Sequence, residues 1–442
     1  MSSFMSTATS AVRFRAEHLL VSADQSVVSD GVLDVVDGAV VWSGAASAAP
    51  SFDGEVILLD GLVMPGLVNV HAHTPMLLLR GTGEGLPTDR WLTEVMWPRE
   101  GRLVEDDVEW AMLLGASEML LNGITTTTEM YFFGDAVARS ASSAGIRCIV
   151  TAPLIEASDF SRFGTVDDQL AATEAMRRRW SGDPLVEVGI GPHAAYSLSR
   201  STLERVVDLV AADPMLVHIH VAEQPHEGDA ILAETGLTVP AYLDEIGLLT
   251  ERTIAAHCVW LTPDDIRRFS HTGTSVAHCP VSNGRHASGL APVGDLRAAG
   301  IPVGIGTDGP ASHDRLDMFD DMRTAIRFSR IRQMDASALS ASAVLGMATY
   351  EAAAALGRAD IGRLVQGSRA DFVRLDIVGP GFEPDFGPEH LVERVVWLGA
   401  PECVRDVWVE GRQVVADRGC LTVDRAVARR EVQRRSLRLI EG

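Results

Sequence analysis

The stretch Leu62-Val63-Met64-Pro65-Gly66-Leu67-Val68-Asn69-Val70-His71-Ala72-His73 decides how this chain is read. A short apolar run beside a Pro-Gly break has the pattern of a buried strand. Two histidines at i and i+2 on a strand point to the same face. At a strand end that face can open onto a site, where two imidazoles can share one divalent metal. A His-x-His alone carries little weight. The weight comes from later strand-like segments, which also end in His, Glu or Asp.

Eight such segments alternate with amphipathic helices: residues 67–70, 124–128, 147–152, 187–191, 216–221, 253–257, 275–278 and 303–307. The intervening stretches carry helix punctuation. Residues 106–121 close on Gly123, and residues 201–212 open after a serine N-cap. Eight β/α units over roughly 300 residues fit a (β/α)8 TIM barrel. A doubly wound open sheet is the alternative. It would carry a Gly-rich phosphate loop after its first strand, and none is present.

Outside this middle both chain ends are β-rich. Residues 16–21 and 33–42 read as strands with an Asp37-Gly38 turn, and residues 370–376 and 404–415 have the same texture. We therefore expect a small β-sandwich domain built from both ends. The expected division is 1–64 and 364–442 for the composite β domain and 65–363 for the catalytic barrel. The Arg-rich segment 424–439 reads as a solvated or subunit-facing helix.

Composition narrows the chemistry. With 46 % apolar and 22 % charged residues the chain has the balance of a soluble globular protein. No apolar run is long enough to span a bilayer. Residues 1–10 are small and polar, without the basic start and apolar core of a signal peptide, and Met5 is an alternative start. Five scattered cysteines without a C-x-x-C pair indicate a reduced, cytoplasmic setting. A net charge of −22 argues against nucleic-acid or anionic-membrane partners. All 38 basic residues are arginine. Without lysine there is no Schiff-base chemistry, no Walker P-loop and no lysine-carbamate metal bridge.

Reactive groups in a barrel sit where strands end. Here those ends carry His71 and His73, then His193, then His218 and His220 with Glu223 beyond, then His257, His278 and Asp308. Several imidazoles with a carboxylate suit a borderline divalent metal, zinc first and Fe2+ as the alternative. Such a metal lowers the pKa of a bound water toward ~7. A carboxylate that is not a ligand must then move the proton, and Glu223 is placed for that. His278 reads as a structural histidine of the barrel wall. His218, one layer deeper than His220, reads as a hydrogen-bonded core histidine.

Residues 65–81, Pro-Gly-Leu-Val-Asn-Val-His-Ala-His-Thr-Pro-Met-Leu-Leu-Leu-Arg-Gly, resemble the opening motif of the amidohydrolase superfamily. The similarity is greatest to the branch of methylthioadenosine/S-adenosylhomocysteine deaminases and triazine chlorohydrolases. His218-Ile219-His220-Val221-Ala222-Glu223, Ala256-His257-Cys258, Pro280-Val281-Ser282-Asn283, Gly306-Thr307-Asp308-Gly309 and the closing run 361–372 match in order. The resemblance implies one metal held by His71, His73, His220 and Asp308. It implies that Glu223 carries a proton from water to a ring nitrogen, and that His257 orients or deprotonates the water together with Asp308. It also implies a homo-oligomer. Lacking lysine, the chain fits the mononuclear members.

Trp91, Glu100 and His193 match the positions that meet the base and the ribose hydroxyls in nucleoside deaminases of this branch. Ser312 is a further candidate at the substrate, as a hydroxyl holding the water-side loop or as a helix N-cap. Two departures stand out. Thr151-Ala152-Pro153-Leu154 replaces the first arginine that meets a homocysteine carboxylate, and Arg162 lies near the second but out of register. Gly284-Arg285-His286 replaces an apolar-basic pair. The expected substrate is thus an adenine nucleoside with a neutral 5′ substituent: 5′-methylthioadenosine, 5′-deoxyadenosine or adenosine, ahead of S-adenosylhomocysteine. Alternatives are another N-heterocycle (pterin, 8-oxoguanine, cytosine, s-triazine) or a non-catalytic relative. The last would have lost metal ligands, and this chain keeps them. The H-x-E with P-C-x-x-C signature of nucleic-acid deaminases is absent.

Overall fold

The computed structural model describes residues 11–379 and 381–441. Segment 1–10, on which the readings of the leader and of the Met5 start fall, lies outside the described residues. Four strands open the chain: β1 (Ala11–Leu19), β2 (Val28–Val36), β3 (Ala39–Ala45) and β4 (Glu55–Pro65). The next eight are β5 (Leu67–Ala72), β6 (Ile124–Glu129), β7 (Arg147–Leu154), β8 (Val186–Pro192), β9 (Val217–Val221), β10 (Thr253–His257), β11 (Ser275–His278) and β12 (Val303–Ile305). These pair in sequence order, every pair parallel. Helices such as Glu105–Leu121, Gly134–Ala144, Val166–Trp180 and Arg200–Ala212 lie between them, as a right-handed β/α crossover requires. The last of these is capped by Ser199, whose hydroxyl accepts the Thr202 N–H at 3.3 Å.

The barrel closes between its first and last strands. Asn69 donates to the Thr307 hydroxyl at 2.8 Å and accepts the Thr307 N–H at 3.0 Å, and the Asp308 N–H donates to the His71 carbonyl at 2.9 Å. Gly304 makes this approach possible: a Cβ there would come within 2.7 Å of Val70 and 3.1 Å of the Ala352 backbone. Val68, Val70, Ile149, Ile254 and Ala277 pack with Ala352, Ala353 and Leu356 of the segment after β12. Apolar side chains thus close-pack one end of the barrel interior, and buried polar groups such as Asn69, Thr151 and His218 lie within the strands nearer the site.

The chain closes with β13 (Phe372–Leu375), β14 (Val404–Val409), β15 (Arg412–Ala416) and β16 (Gly419–Cys420). Together with the opening four these form one hydrogen-bonded sheet, ordered β16-β15-β14-β13-β4-β1-β2-β3. Strands from both ends share one apolar cluster, in which Phe14, Phe372 and Trp408 lie 4.6–5.4 Å apart, centre to centre. The final helix, Arg425–Glu441, does not stand free. Ala428, Val432, Arg435 and Leu439 are buried, and Arg435 and Arg438 pair with Asp106 and Asp107 of helix Glu105–Leu121. Among the described residues no helix is long and apolar enough to cross a membrane.

Candidate active site

Where β9, β10 and β12 end, the backbone turns sharply. Ala222, His257, Cys258 and Asp308 take φ values of 51°, 70°, 51° and 60°. Left-handed φ at residues with a Cβ persists only where the surroundings enforce it. Here the Cys258 N–H donates to Val221 and the Val259 N–H to Ala222, each at 3.0 Å. These turns aim the side chains at the barrel axis.

Hydrogen bonds then determine which imidazole nitrogen carries each proton. His73 Nδ1 lies 2.6 Å from the Met130 carbonyl and His220 Nδ1 2.8 Å from the His193 carbonyl. A carbonyl only accepts, so both rings are protonated on Nδ1 and turn an Nε2 lone pair inward. The third ring is arranged through a relay. The Thr151 hydroxyl donates to the Glu129 carbonyl at 3.0 Å, so it accepts from His218 Nδ1, also at 3.0 Å. His218 Nε2 must then accept from His71 Nδ1 at 2.6 Å, which leaves the His71 Nε2 lone pair free.

The three Nε2 lone pairs converge. Those of His73 and His220 are 3.2 Å apart. Asp308 Oδ1 lies 3.3 Å from His73 Nε2 and 3.4 Å from His71 Nε2. His71 Nε2 is buried without a hydrogen-bond partner among the described residues. Facing lone pairs repel, and a cation between them removes the repulsion. Three imidazole nitrogens and one carboxylate oxygen are a donor set that fits zinc or a similar divalent ion. Burial pushes His71 down to about 3, and holds His218 and His220 well below the ordinary histidine value, so these rings stay neutral.

Asp308 Oδ2 accepts from Ser282 at 2.6 Å and from Ser312 at 2.8 Å. Ser312 therefore sits behind the carboxylate, with its hydroxyl directed at Asp308 and the Gly309 carbonyl rather than at the cavity. His257 Nδ1 is 2.9 Å from Asn283 Oδ1, and its Nε2 faces Glu223 Oε2 at 3.9 Å. Burial disfavours a proton on His257, but the carboxylates of Glu223 and Asp308 outweigh it and raise its pKa.

A cavity of about 700 Å³, open mouth included, lies above this cluster. His73, His220, Glu223, His257 and Asp308 line one end, and Trp91, Glu100 and His193 line the same space. Trp91 and Glu100 come from the helical segments Trp91–Met96 and Trp97–Glu100, the first of which is wound as a π-helix, a device frequent at functional sites. Glu100 accepts from the Tyr131 hydroxyl at 2.8 Å, and burial pushes its carboxyl up to about 7. His193 Nδ1 is 2.9 Å from Ser197 Oγ. His278 is buried, does not line the cavity, and meets no hydrogen-bond partner among the described residues.

Two features were not anticipated. Glu227 accepts the backbone N–H groups of Ala222, Glu223 and Gln224 at 2.9, 2.6 and 3.5 Å, and so braces the turn that presents Glu223. Burial, with the neighbouring Glu223 carboxylate, pushes it up to about 7. Its place four residues past Glu223 was the available signal. The second feature is aromatic. Phe132 stacks on Phe160 at 4.6 Å and on Phe163 at 4.8 Å, and Phe132, Pro153 and Ile155 line the cavity. Arg162 donates to the Leu103 carbonyl and lies over the Phe163 ring, outside the cavity lining.

The chain is similar to known proteins over most of its length. The model of the amidohydrolase family matches residues 62–414. A 5-methylthioadenosine/S-adenosylhomocysteine deaminase of Pelotomaculum thermopropionicum is 35 % identical over 428 residues, covering 96 % of this chain and 97 % of that one. A 5′-deoxyadenosine deaminase of Methanopyrus kandleri is 37 % identical over 355 residues, covering 80 % and 81 %. The crystal structure of an adenosine deaminase from Xanthomonas campestris with bound zinc superimposes with a TM-score of 0.91 at 32 % identity, covering 98 % and 99 %.

Proposed function

This chain belongs to the amidohydrolase family, and we propose that it is a metal-dependent deaminase of adenine nucleosides with a small neutral 5′ group: 5′-methylthioadenosine, 5′-deoxyadenosine or adenosine. One observation carries the reading. His73, His220 and Asp308 of the metal-competent cluster, together with Glu223, line the same cavity as Trp91, Glu100 and His193. The names of the relatives point to the same substrates.

His71, His73, His220 and Asp308 would hold one zinc ion. When bound, it supplies Lewis-acid chemistry that makes a water nucleophilic near neutral pH. The remaining work falls to side chains. His257 Nε2 orients the attacking water, together with Asp308. Water adds to the amine-bearing ring carbon while Glu223 carries a proton to the adjacent ring nitrogen. Collapse of the tetrahedral adduct expels ammonia and leaves the keto base. Asn283 holds His257 by its Nδ1, and Ser282 and Ser312 hold Asp308 by its Oδ2. Glu100, steadied by Tyr131, and His193 face the ribose hydroxyls, and Trp91 meets the base.

The 5′ end supports a neutral substituent. Among the described residues no arginine lines the cavity, Arg162 is bound to the Leu103 carbonyl, and Phe132, Pro153 and Ile155 form an apolar wall. A homocysteine carboxylate would be buried there without a cationic partner. The same proposal places the catalytic barrel in residues 65–363 and a homo-oligomer in the cytoplasm, where five unpaired cysteines stay reduced. An ammonia-release screen tests it, using adenine nucleosides beside guanine, cytosine, pterin and s-triazine substrates. Release confined to the adenine nucleosides is expected, and release from another heterocycle alone would overturn the assignment.

A further inference from the structure

The segment Gly284-Arg285-His286 is accounted for residue by residue. Gly284 sits where a Cβ would come 3.1 Å from the Phe328 ring, so the short helix Pro280–Arg285 can lie against that ring. Arg285 pairs with Asp314 and with Glu84, a mostly exposed residue, and so is held away from the cavity. His286 lines the cavity beside Glu223 and Asp308. It is 7 % exposed, and among the described residues neither ring nitrogen meets a partner at hydrogen-bond geometry, although the Leu86 backbone lies close enough to favour a proton on the ring. Its ring centre is 4.8 Å from that of Trp91, whose Nε1 is also buried without a partner. The edge of Trp91 that carries Nε1 lies against Gly83, so it is the His286 ring, lining the cavity with no well-formed hydrogen bond, that leaves a demand the contents of the cavity can meet.

We propose that His286, seated on Trp91, is a specificity residue that donates a hydrogen bond to an acceptor nitrogen on the edge of the substrate's bicyclic ring. The inference rests on the deaminase reading above. Glu223 serves the ring nitrogen next to the amine-bearing carbon. A purine carries two further acceptors, N3 and N7, and a monocyclic pyrimidine lacks that second ring. A cavity wall that hydrogen-bonds its substrate rejects an analogue without the acceptor, because the wall groups are then stranded.

The test compares kcat/KM for adenosine, 3-deazaadenosine and 7-deazaadenosine in the metal-loaded wild type, His286→Leu and His286→Gln. Metal content and melting temperature are measured for each protein. Removing a ring nitrogen changes intrinsic reactivity, so the readout is the parent-to-analogue ratio in each variant divided by that in the wild type. His286→Leu should lower kcat/KM on adenosine by about tenfold to a hundredfold. It should also lower the ratio for one of the two analogues by a similar factor. His286→Gln, which keeps an N–H donor, should restore part of both effects. Unchanged ratios for both analogues in His286→Leu would overturn the role of His286 and leave the deaminase assignment standing. Absence of ammonia from every adenine nucleoside would overturn the assignment and this inference with it.

Discussion

At the scale of single residues, the site depends on where protons sit. His71, His73 and His220 are tied at Nδ1 by His218 and by two backbone carbonyls, so each presents a lone pair. Glu223 stands outside the ligand set. Glu223→Gln should keep metal content at wild-type level and lower kcat by about 10²–10⁴-fold, read by metal analysis beside ammonia release. Glu100 supplies a pH signature. Its folded pKa of about 7 exceeds the ordinary 4.5, so the folded chain binds that proton more tightly than the unfolded chain does. Stability from this group is therefore lost as pH rises from about 4.5 to about 7, by a few kcal/mol at most at about 1.36 kcal/mol per unit. Glu100→Gln keeps an acceptor for Tyr131 and has no proton to lose. Its melting temperature should match wild type near pH 5 and exceed it near pH 8, while its KM for nucleosides rises. The strand-end histidines were legible because spacing puts His71 and His73 on one strand face. The task of His218 was not legible, because its partner, His71, lies 147 residues away.

At the scale of elements, β9 and its following turn carry Glu223, the carboxylate proposed to move the proton, and Glu227 braces that turn through three successive N–H groups. Glu227→Ala leaves those donors buried and unpaired. It should lower kcat more than it raises KM, with metal retained, because Glu223 loses its support and the ligand His220 precedes the turn. Loss of metal in this variant would show that the brace serves the whole β9 end instead. All eight barrel strands were legible within a residue or two, since each is a short β-prone run set between helix-patterned stretches. The two end segments were legible as strands but not in their pairing. That β13 lies between β4 and β14 depends on a pairing across some three hundred residues, Phe372 opposite Pro65, beside the nearer one of Phe372 with Trp408. The helix Arg425–Glu441 read as solvated or subunit-facing because six arginines dominate residues 424–439. Its packing on Glu105–Leu121 comes from Asp106 and Asp107, which no periodicity in its own sequence reveals.

At the scale of the whole molecule, the barrel and the end sheet are joined by charge as well as apolar packing. Arg147, at the start of β7, pairs with Asp371 at 3.0 Å and with Glu410, and its side chain is only 3 % exposed. Arg147→Met removes the cation and leaves a buried Asp371 uncompensated, which should cost about 3–5 kcal/mol in denaturant unfolding. A loss below about 1 kcal/mol would show that the pair contributes little. The central claim concerns what the assembled cavity does: one four-donor cluster, one proton-moving glutamate, and a nucleoside wall that ends in apolar rather than cationic side chains. The direct measurement is kcat/KM for ammonia release by the zinc-loaded protein, with 5′-methylthioadenosine and S-adenosylhomocysteine side by side. The account predicts turnover of the first and a preference of at least about tenfold over the second, set by a buried carboxylate without a partner. No turnover of 5′-methylthioadenosine, or a preference for the homocysteine compound, would contradict it.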